Sequence, residues 1–180
     1  WYRGIEYLKE QERGYAYDED LFVPGYFELD IKKGETIIFS AGTEPIAVRT
    51  LKRLFAAEKE KRTGRADFFT TLKNAAQQFY NKRADGYYLL AGYPWFKYRA
   101  RDEFIALPGA TLAVGDVEMF EKMMLIGVQA VRDYIDGKPK STQLKEVSSP
   151  DVLLWFVWNV QQYAQYTSLE QAAEKYGQHV

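Results

Sequence analysis

A mainly α-helical fold, preceded by a short β segment, is what this sequence predicts, and three observations carry that expectation. From Glu44 onward, apolar residues recur at the three-and-four spacing of one helix face in about six successive stretches. The links between these stretches are short, and strands do not alternate with helices as in βαβ units. Before Glu44 the pattern differs: brief β-branched or aromatic runs flank a Gly-bearing turn. With no strands to pack on, helix must pack on helix over residues 44–180.

The elements follow in order. The chain opens on Trp1-Tyr2-Arg3 without a methionine and reads as a piece of something longer. Residues 1–19 are mixed and Tyr-rich, with Gly4 and Gly14 as breakers. Runs 26–29 and 36–40 flank Gly34 and predict a hairpin. Two strands alone are marginal in water, so residues 1–43 are expected to be the C-terminal strands of a preceding β domain and a linker. Pro45 suits a first helical turn, and Ile46, Leu51, Leu54 and Phe55 make the first apolar stripe. A second helix is expected over about 66–82, opened by Asp67 and striped by Phe68, Leu72, Ala75, Ala76, Phe79 and Tyr80. Gly86, Gly92 and Pro94 break the pattern over 84–100. A helix over about 102–114 follows despite Pro108-Gly109, then one over 116–136 with Phe120, Met123, Met124, Val128, Val131 and Tyr134 in phase. The methionines, Met119 included, read as core fillers rather than metal ligands. Gly137-Lys138-Pro139 stops that helix, and Ser149-Pro150-Asp151 starts the next, to about Thr167. A last helix is expected from Ser168 to about Gln178, with His179 solvated beyond it.

Composition narrows the chemistry. Of 180 residues, 24 are Lys or Arg and 25 Asp or Glu, a net charge of −1 that offers no electrostatic footprint for nucleic acid or an anionic membrane. No apolar run approaches the roughly 20 residues of a membrane span and no signal peptide opens the chain; a cytoplasmic location is expected, with a periplasmic or exported one as the alternative. The absence of Cys excludes a disulfide scaffold and a thiol nucleophile. A single His, at position 179, excludes an internal His triad or multi-His metal centre, and neither metal nor cofactor is expected. The 14 Tyr, 11 Phe and 4 Trp lean towards sugar-like or flat apolar ligands, although aromatic cores draw on the same residues.

One segment concentrates these ingredients. Tyr93, Trp95, Phe96 and Tyr98 directly precede Arg99, Arg101, Asp102 and Glu103. Aromatic planes stack on sugar rings while adjacent charged groups bond hydroxyls; an aromatic core loop beside a surface ion-pair cluster is the alternative. The order of residues adds to this. Ala91-Gly92-Tyr93-Pro94-Trp95-Phe96, then Arg101-Asp102, then Phe104-Ile105-Ala106-Leu107-Pro108-Gly109 and Thr111-Leu112, resembles the signature of the amylo-α-1,6-glucosidase family, the glucosidase part of glycogen debranching enzymes. Asp20-Leu21-Phe22 with Pro24-Gly25, Phe27-Glu28-Leu29 and Gly34-Glu35-Thr36 is similar to the end of the β-sandwich that precedes that domain. Asp151 with Leu154-Trp155-Phe156 is similar to a further family helix.

The resemblance implies an (α/α)6 toroid, of which residues 44–180 would form the N-terminal half, about half of its helical hairpins. It implies a glycoside hydrolase that cleaves α-glucosidic linkages, α-1,6 branches in glycogen or related α-glucans, by an inverting general acid/base mechanism. Asp102 takes the place of the general acid, and the general base lies beyond Val180, so the fragment alone is expected to be inactive. The sequence departs from the family where Arg99-Ala100 replaces Trp-Gly and Glu103 replaces Thr. The Arg exchanges a stacking plane for charge-assisted hydrogen bonds, which puts strict branch specificity in question.

Each candidate has a plainer reading. Asp102 is either the acid or a helix-start residue paired with Arg101. Glu103 competes with it, but one residue further along a helix points about 100° away, so both cannot face one bond, and Asp102 is preferred. Asp151 either binds a sugar hydroxyl or occupies its helix's first turn. Trp155, four residues on, shares that face and serves either as sugar contact or as core. Tyr93, Trp95 and Arg101 complete the expected substrate contacts. The alternative function is a non-catalytic carbohydrate-binding or interaction module. The helix after Asp151 is apolar almost all round, which suits an interior; the fragment is therefore expected to self-associate through that face unless residues 168–180 fold back over it.

Overall fold

A computed structural model describes residues 1–93 and 96–180, and the chain divides into two compact units, Trp1–Ala56 and Ala57–Val180. The fold is mainly helical, with two small antiparallel sheets among the described residues.

In the first unit, strand β1 (Tyr2–Glu6), a short helix α1 (Leu8–Glu12) and strand β2 (Asp18–Leu21) form a two-stranded sheet with Tyr2 opposite Leu21 and Glu6 opposite Asp18. The hairpin expected from 26–29 and 36–40 does not form. Only its turn survives: the Glu35 N–H donates to the Lys32 carbonyl at 3.0 Å, and the Lys32 N–H donates to the Glu35 carboxylate at 2.9 Å. Phe27 and Phe39 still meet edge-on with centroids 5.1 Å apart, so the runs approach through side chains while their backbones stay unpaired. Among the described residues no further strand covers them, and two strands alone do not bury enough to order the ladder. No residue of this unit is buried. Helix α2 (Leu51–Lys61) begins after a 3₁₀ turn at Val48–Thr50, later than Pro45 suggested.

The core lies in the second unit. Asp67 caps helix α3 (Phe68–Gln77) through a capping box, accepting from the Thr70 N–H at 2.7 Å. The expectation that residues 44–180 contain no strands is corrected here. Strands β3 (Tyr80–Arg83) and β4 (Gly86–Leu89) form a hairpin on which the chain turns at Ala84-Asp85. β4 packs on helix α5, approaching so closely that a Cβ on Gly86, whose φ is +149°, would lie 2.6 Å from Ile126 Cδ1. Helix α4 (Ala100–Ala110) is followed by a 3₁₀ turn at Leu112–Val114. Helix α5 (Val117–Ile135) is capped by Asp116, helix α6 spans Val152–Tyr166, and helix α7 (Leu169–Tyr176) is capped by Ser168. Tyr88, Phe104, Leu107, Phe120, Met123, Met124, Val152 and Phe156 are all sealed from solvent.

Pro108 sits inside α4 and has no N–H for the carbonyl of Phe104, four residues back. Asn159 of α6, itself fully buried, supplies the missing donor: its Nδ2 lies 2.6 Å from the Phe104 oxygen. Residues 168–180 do fold back. Tyr176 packs edge-on against Tyr163 at 5.3 Å, and Lys175 pairs with Glu121 of α5 at 2.5 Å. His179 is half-buried rather than solvated, with Nδ1 sealed from solvent. Among the described residues no helix is long and apolar enough to cross a membrane.

Candidate active site

The first turn of α4 holds the three charged residues singled out above, and backbone pairing sets its position. The Lys145 N–H donates to the Tyr98 carbonyl at 3.0 Å, and the Ala100 N–H donates to the Lys145 carbonyl at 2.9 Å. This short parallel bridge fixes where the helix starts. From there the 100° step per residue sends Arg101, Asp102 and Glu103 in different directions.

Arg101 reaches the start of α6. Its Nε donates to Asp151 Oδ2 at 2.7 Å, and the same oxygen accepts from Trp155 Nε1 at 3.0 Å. The Arg101 bond, followed by the Trp155 bond, holds the Asp151 carboxyl below its ordinary range. Asp151 stands at the helix start, as the plainer reading had it, yet its side chain caps nothing there. Arg101 pairs with Asp151 and not with Asp102. Among the described residues no hydrogen bond or ion pair engages the Asp102 carboxylate.

Asp102 is exposed and lines a cleft of about 350 Å³ with Phe79, Leu89, Leu90, Glu103 and Ile105. Glu103, on the same cleft, is only 1 % exposed. The Leu89 N–H donates to its Oε2 at 3.2 Å, while Oε1 is sealed from solvent with no partner among the described residues. Burial pushes its pKa up to about 8, with the Leu89 bond opposing. The carboxyl therefore keeps its proton at neutral pH. The cleft so joins two carboxyls, Asp102 exposed at the rim and Glu103 buried in the wall.

The remaining expected contacts lie apart. Tyr93 is exposed; its hydroxyl donates to the Gln78 carbonyl and its ring packs at 5.5 Å against Phe79. It lines a second, more polar cleft of about 580 Å³ with Arg62, Gln78, Tyr80 and Asp116. Trp155 is half-buried and packs edge-on against Trp158 at 5.4 Å, so it is partly core. Trp95 lies outside the described residues. The structure thus groups Arg101, Asp151 and Trp155, and separately groups Asp102 with Glu103. Glu103, set aside in favour of Asp102, and Phe79, taken only as part of a helix stripe, are the cleft residues that sequence reasoning did not assign to the site. The signal for Glu103 was its register: it lies four residues before Leu107 on the buried side of α4.

Comparison with protein families supplies an independent observation. Residues 72–178 match the family model described as amylo-alpha-1,6-glucosidase, and residues 1–38 match the one described as glycogen debranching enzyme N terminal. Comparisons with curated proteins and with solved structures returned no match. Every residue that lines the Asp102 cleft falls inside the first of these matches.

Proposed function

The chain belongs to the amylo-alpha-1,6-glucosidase family, and from that premise we propose that it forms part of a glycoside hydrolase acting on α-1,6 branches of glycogen or related α-glucans. The observation that carries the assignment of the acid is the state of Asp102. Its carboxyl stands at the rim of a largely apolar cleft with no hydrogen bond or ion pair among the described residues, while the neighbouring Arg101 is committed to Asp151. A carboxyl so placed delivers a proton to a leaving glycosidic oxygen. In the inverting scheme a second carboxylate, about 6.5–9.5 Å away, activates water on the opposite face of the sugar.

Among the described residues, the other carboxyl lining this cleft is Glu103, adjacent on the same helix and buried in the wall. It does not stand opposite Asp102, so this cleft alone does not pair the acid with a base. On this reading the helices of residues 44–180 are hairpins of an (α/α)6 toroid whose remaining hairpins bring the base. Asp151 Oδ1 and the terminal nitrogens of Arg101 make no hydrogen bond among the described residues and are available to sugar hydroxyls. The rings of Tyr93 and Trp155 offer stacking faces.

The test is Asp102→Asn in the complete polypeptide. General acid catalysis is worth about 10²–10⁴-fold, so turnover on limit dextrin should fall by that order. Turnover on α-glucosyl fluoride, whose leaving group scarcely needs protonation, should fall far less. Near wild-type activity on limit dextrin would move the acid to another residue.

A further inference from the structure

The polar cleft of about 580 Å³ has no part in the acid/base scheme, yet it shares its walls with the Asp102 cleft. Phe79 lines the Asp102 cleft and Tyr93 the polar one; their rings pack 5.5 Å apart, and both are exposed. Tyr80 of the polar cleft donates its hydroxyl at 2.6 Å to the carbonyl of Ala110, which lines the Asp102 cleft. A single layer of side chains therefore separates the two. We propose that the polar cleft is a second glucosyl subsite, holding the α-glucan chain that continues from the unit at Asp102, with the Phe79–Tyr93 ring pair as the step between them.

The lining selects an uncharged, hydroxyl-rich ligand. Its two basic residues, Lys61 and Arg62, are matched by two acidic ones, Glu58 and Asp116, so an ion meets no net counter-charge. Arg62 is turned onto Glu58 through Nε and Nη2, at 3.3 and 3.1 Å. Buried Asn74 donates to the Thr63 carbonyl at 2.7 Å, and the Thr63 hydroxyl donates to Gln77 Oε1 at 2.7 Å. That network orients the Gln77 amide and leaves Nε2 as its unused donor. Asp116 Oδ1 accepts from the Met119 N–H at 3.2 Å. Among the described residues Gln77 Nε2, Arg62 Nη1 and Asp116 Oδ2 make no hydrogen bond. Donors and an acceptor in one cleft suit hydroxyl groups, each of which both donates and accepts. The exposed Tyr93 ring adds an apolar face for a sugar ring. A volume of about 580 Å³, against about 350 Å³ at Asp102, gives the polar cleft the longer part of the chain.

The identity of the ligand rests on the glycosidase reading, which turnover by Asp102→Asn tests separately; the experiment here reads binding alone. Maltose and maltohexaose binding to the chain is measured by calorimetry for the wild type, Gln77→Glu and Tyr93→Ala, with circular dichroism confirming the fold. Maltohexaose reaches both clefts and should bind the wild type about tenfold more tightly than maltose, as expected for one or two added hydrogen bonds. Gln77→Glu keeps the acceptor for Thr63 and loses the unused donor, and Tyr93→Ala loses the ring. Each should weaken maltohexaose by about tenfold and leave maltose within about twofold. Equal affinity of the wild type for the two sugars, or an equal loss on both in the variants, overturns the inference and leaves the glycosidase reading standing. Failure of the wild type to bind maltohexaose overturns it as well. A second measurement does not depend on the variants folding. In the wild-type chain labelled with nitrogen-15, the Gln77 side-chain amide signals should move when maltohexaose is added and stay in place with inorganic phosphate. Signals that maltohexaose leaves in place, or that phosphate moves alike, overturn the inference.

Discussion

A carboxyl group that keeps its proton at neutral pH alters the stability of the chain as well as the chemistry of its cleft. Glu103 titrates near 8 in the folded state, against about 4.3 for an unperturbed glutamate. The folded chain therefore binds more protons than the unfolded chain between those values, and stability falls as pH rises through that window. Below about pH 4 both states are protonated, and the contribution of Glu103 is then fully favourable. Glu103→Gln is neutral in both states and escapes this dependence. Urea denaturation at pH 4 should give nearly equal stabilities for wild type and variant. At pH 7 the variant should be more stable by about 3–4 kcal/mol. A difference that does not change with pH would show that the group is ionised in the fold. The same residue marks where sequence reasoning about the site stopped. Successive helix positions do diverge by about 100°, but the cleft runs along the flank of α4 and admits a rim residue and a wall residue together. Asp102 was legible from its motif; Glu103 needed the knowledge that β4 lies over it. Asp151 was half legible: its position at a helix start was plain, but the Arg101 bond spans 50 residues.

At the scale of elements, the proline in α4 is the feature that most needed explaining. Pro108 deprives the Phe104 carbonyl of its helical donor, and Asn159 replaces that donor from α6. The two elements are therefore coupled by a defect in one and its repair in the other. Asn159→Ala should destabilise the chain by about 2–3 kcal/mol, through lost packing and an unmet buried carbonyl. In a Pro108→Ala background the new N–H can bond the Phe104 carbonyl itself, so the same Asn159→Ala change should be milder by about 1 kcal/mol. Equal effects in both backgrounds, by urea denaturation, would show that Asn159 acts only through packing. The sequence did announce α5, α6 and α7 to within a few residues and the start of α3, because each carries a cap or breaker and a strong helical period; α3 ends at Gln77, and Tyr80, expected in its stripe, opens β3 instead. It hid the β3–β4 hairpin because Gly86 was taken as a break. The Asp85-Gly86 pair between aromatic runs was itself a turn signal. The hairpin expected around Gly34 failed for the opposite reason: good turn chemistry with nothing to cover the strands.

At the scale of the whole molecule, the family was legible from ordered residues around Arg101-Asp102, whereas partners are set by surfaces that no motif reports. The last helix does cover part of α6, through Tyr176 on Tyr163. It does not cover a face nearer the start of the same helix: Leu154 is 72 % exposed and Val157 43 % exposed, with Trp158 half-buried beside them. Positions 154, 157 and 158 stand at the three-and-four spacing that puts side chains on one face, so these residues make a contiguous apolar strip. Solvated apolar strips of this kind favour contact with another apolar surface, and a net charge of −1 supplies almost no repulsion between copies. For these 180 residues in isolation, the surface at hand is the same strip on a second copy, related by a two-fold axis. Sedimentation at micromolar concentration should therefore show a dimer or larger species. Leu154→Glu with Val157→Glu places two like charges on the strip and should return a monomer with unchanged helix content. A wild-type chain that sediments as a monomer and fails to bind a hydrophobic dye would show that the strip is too small to drive association.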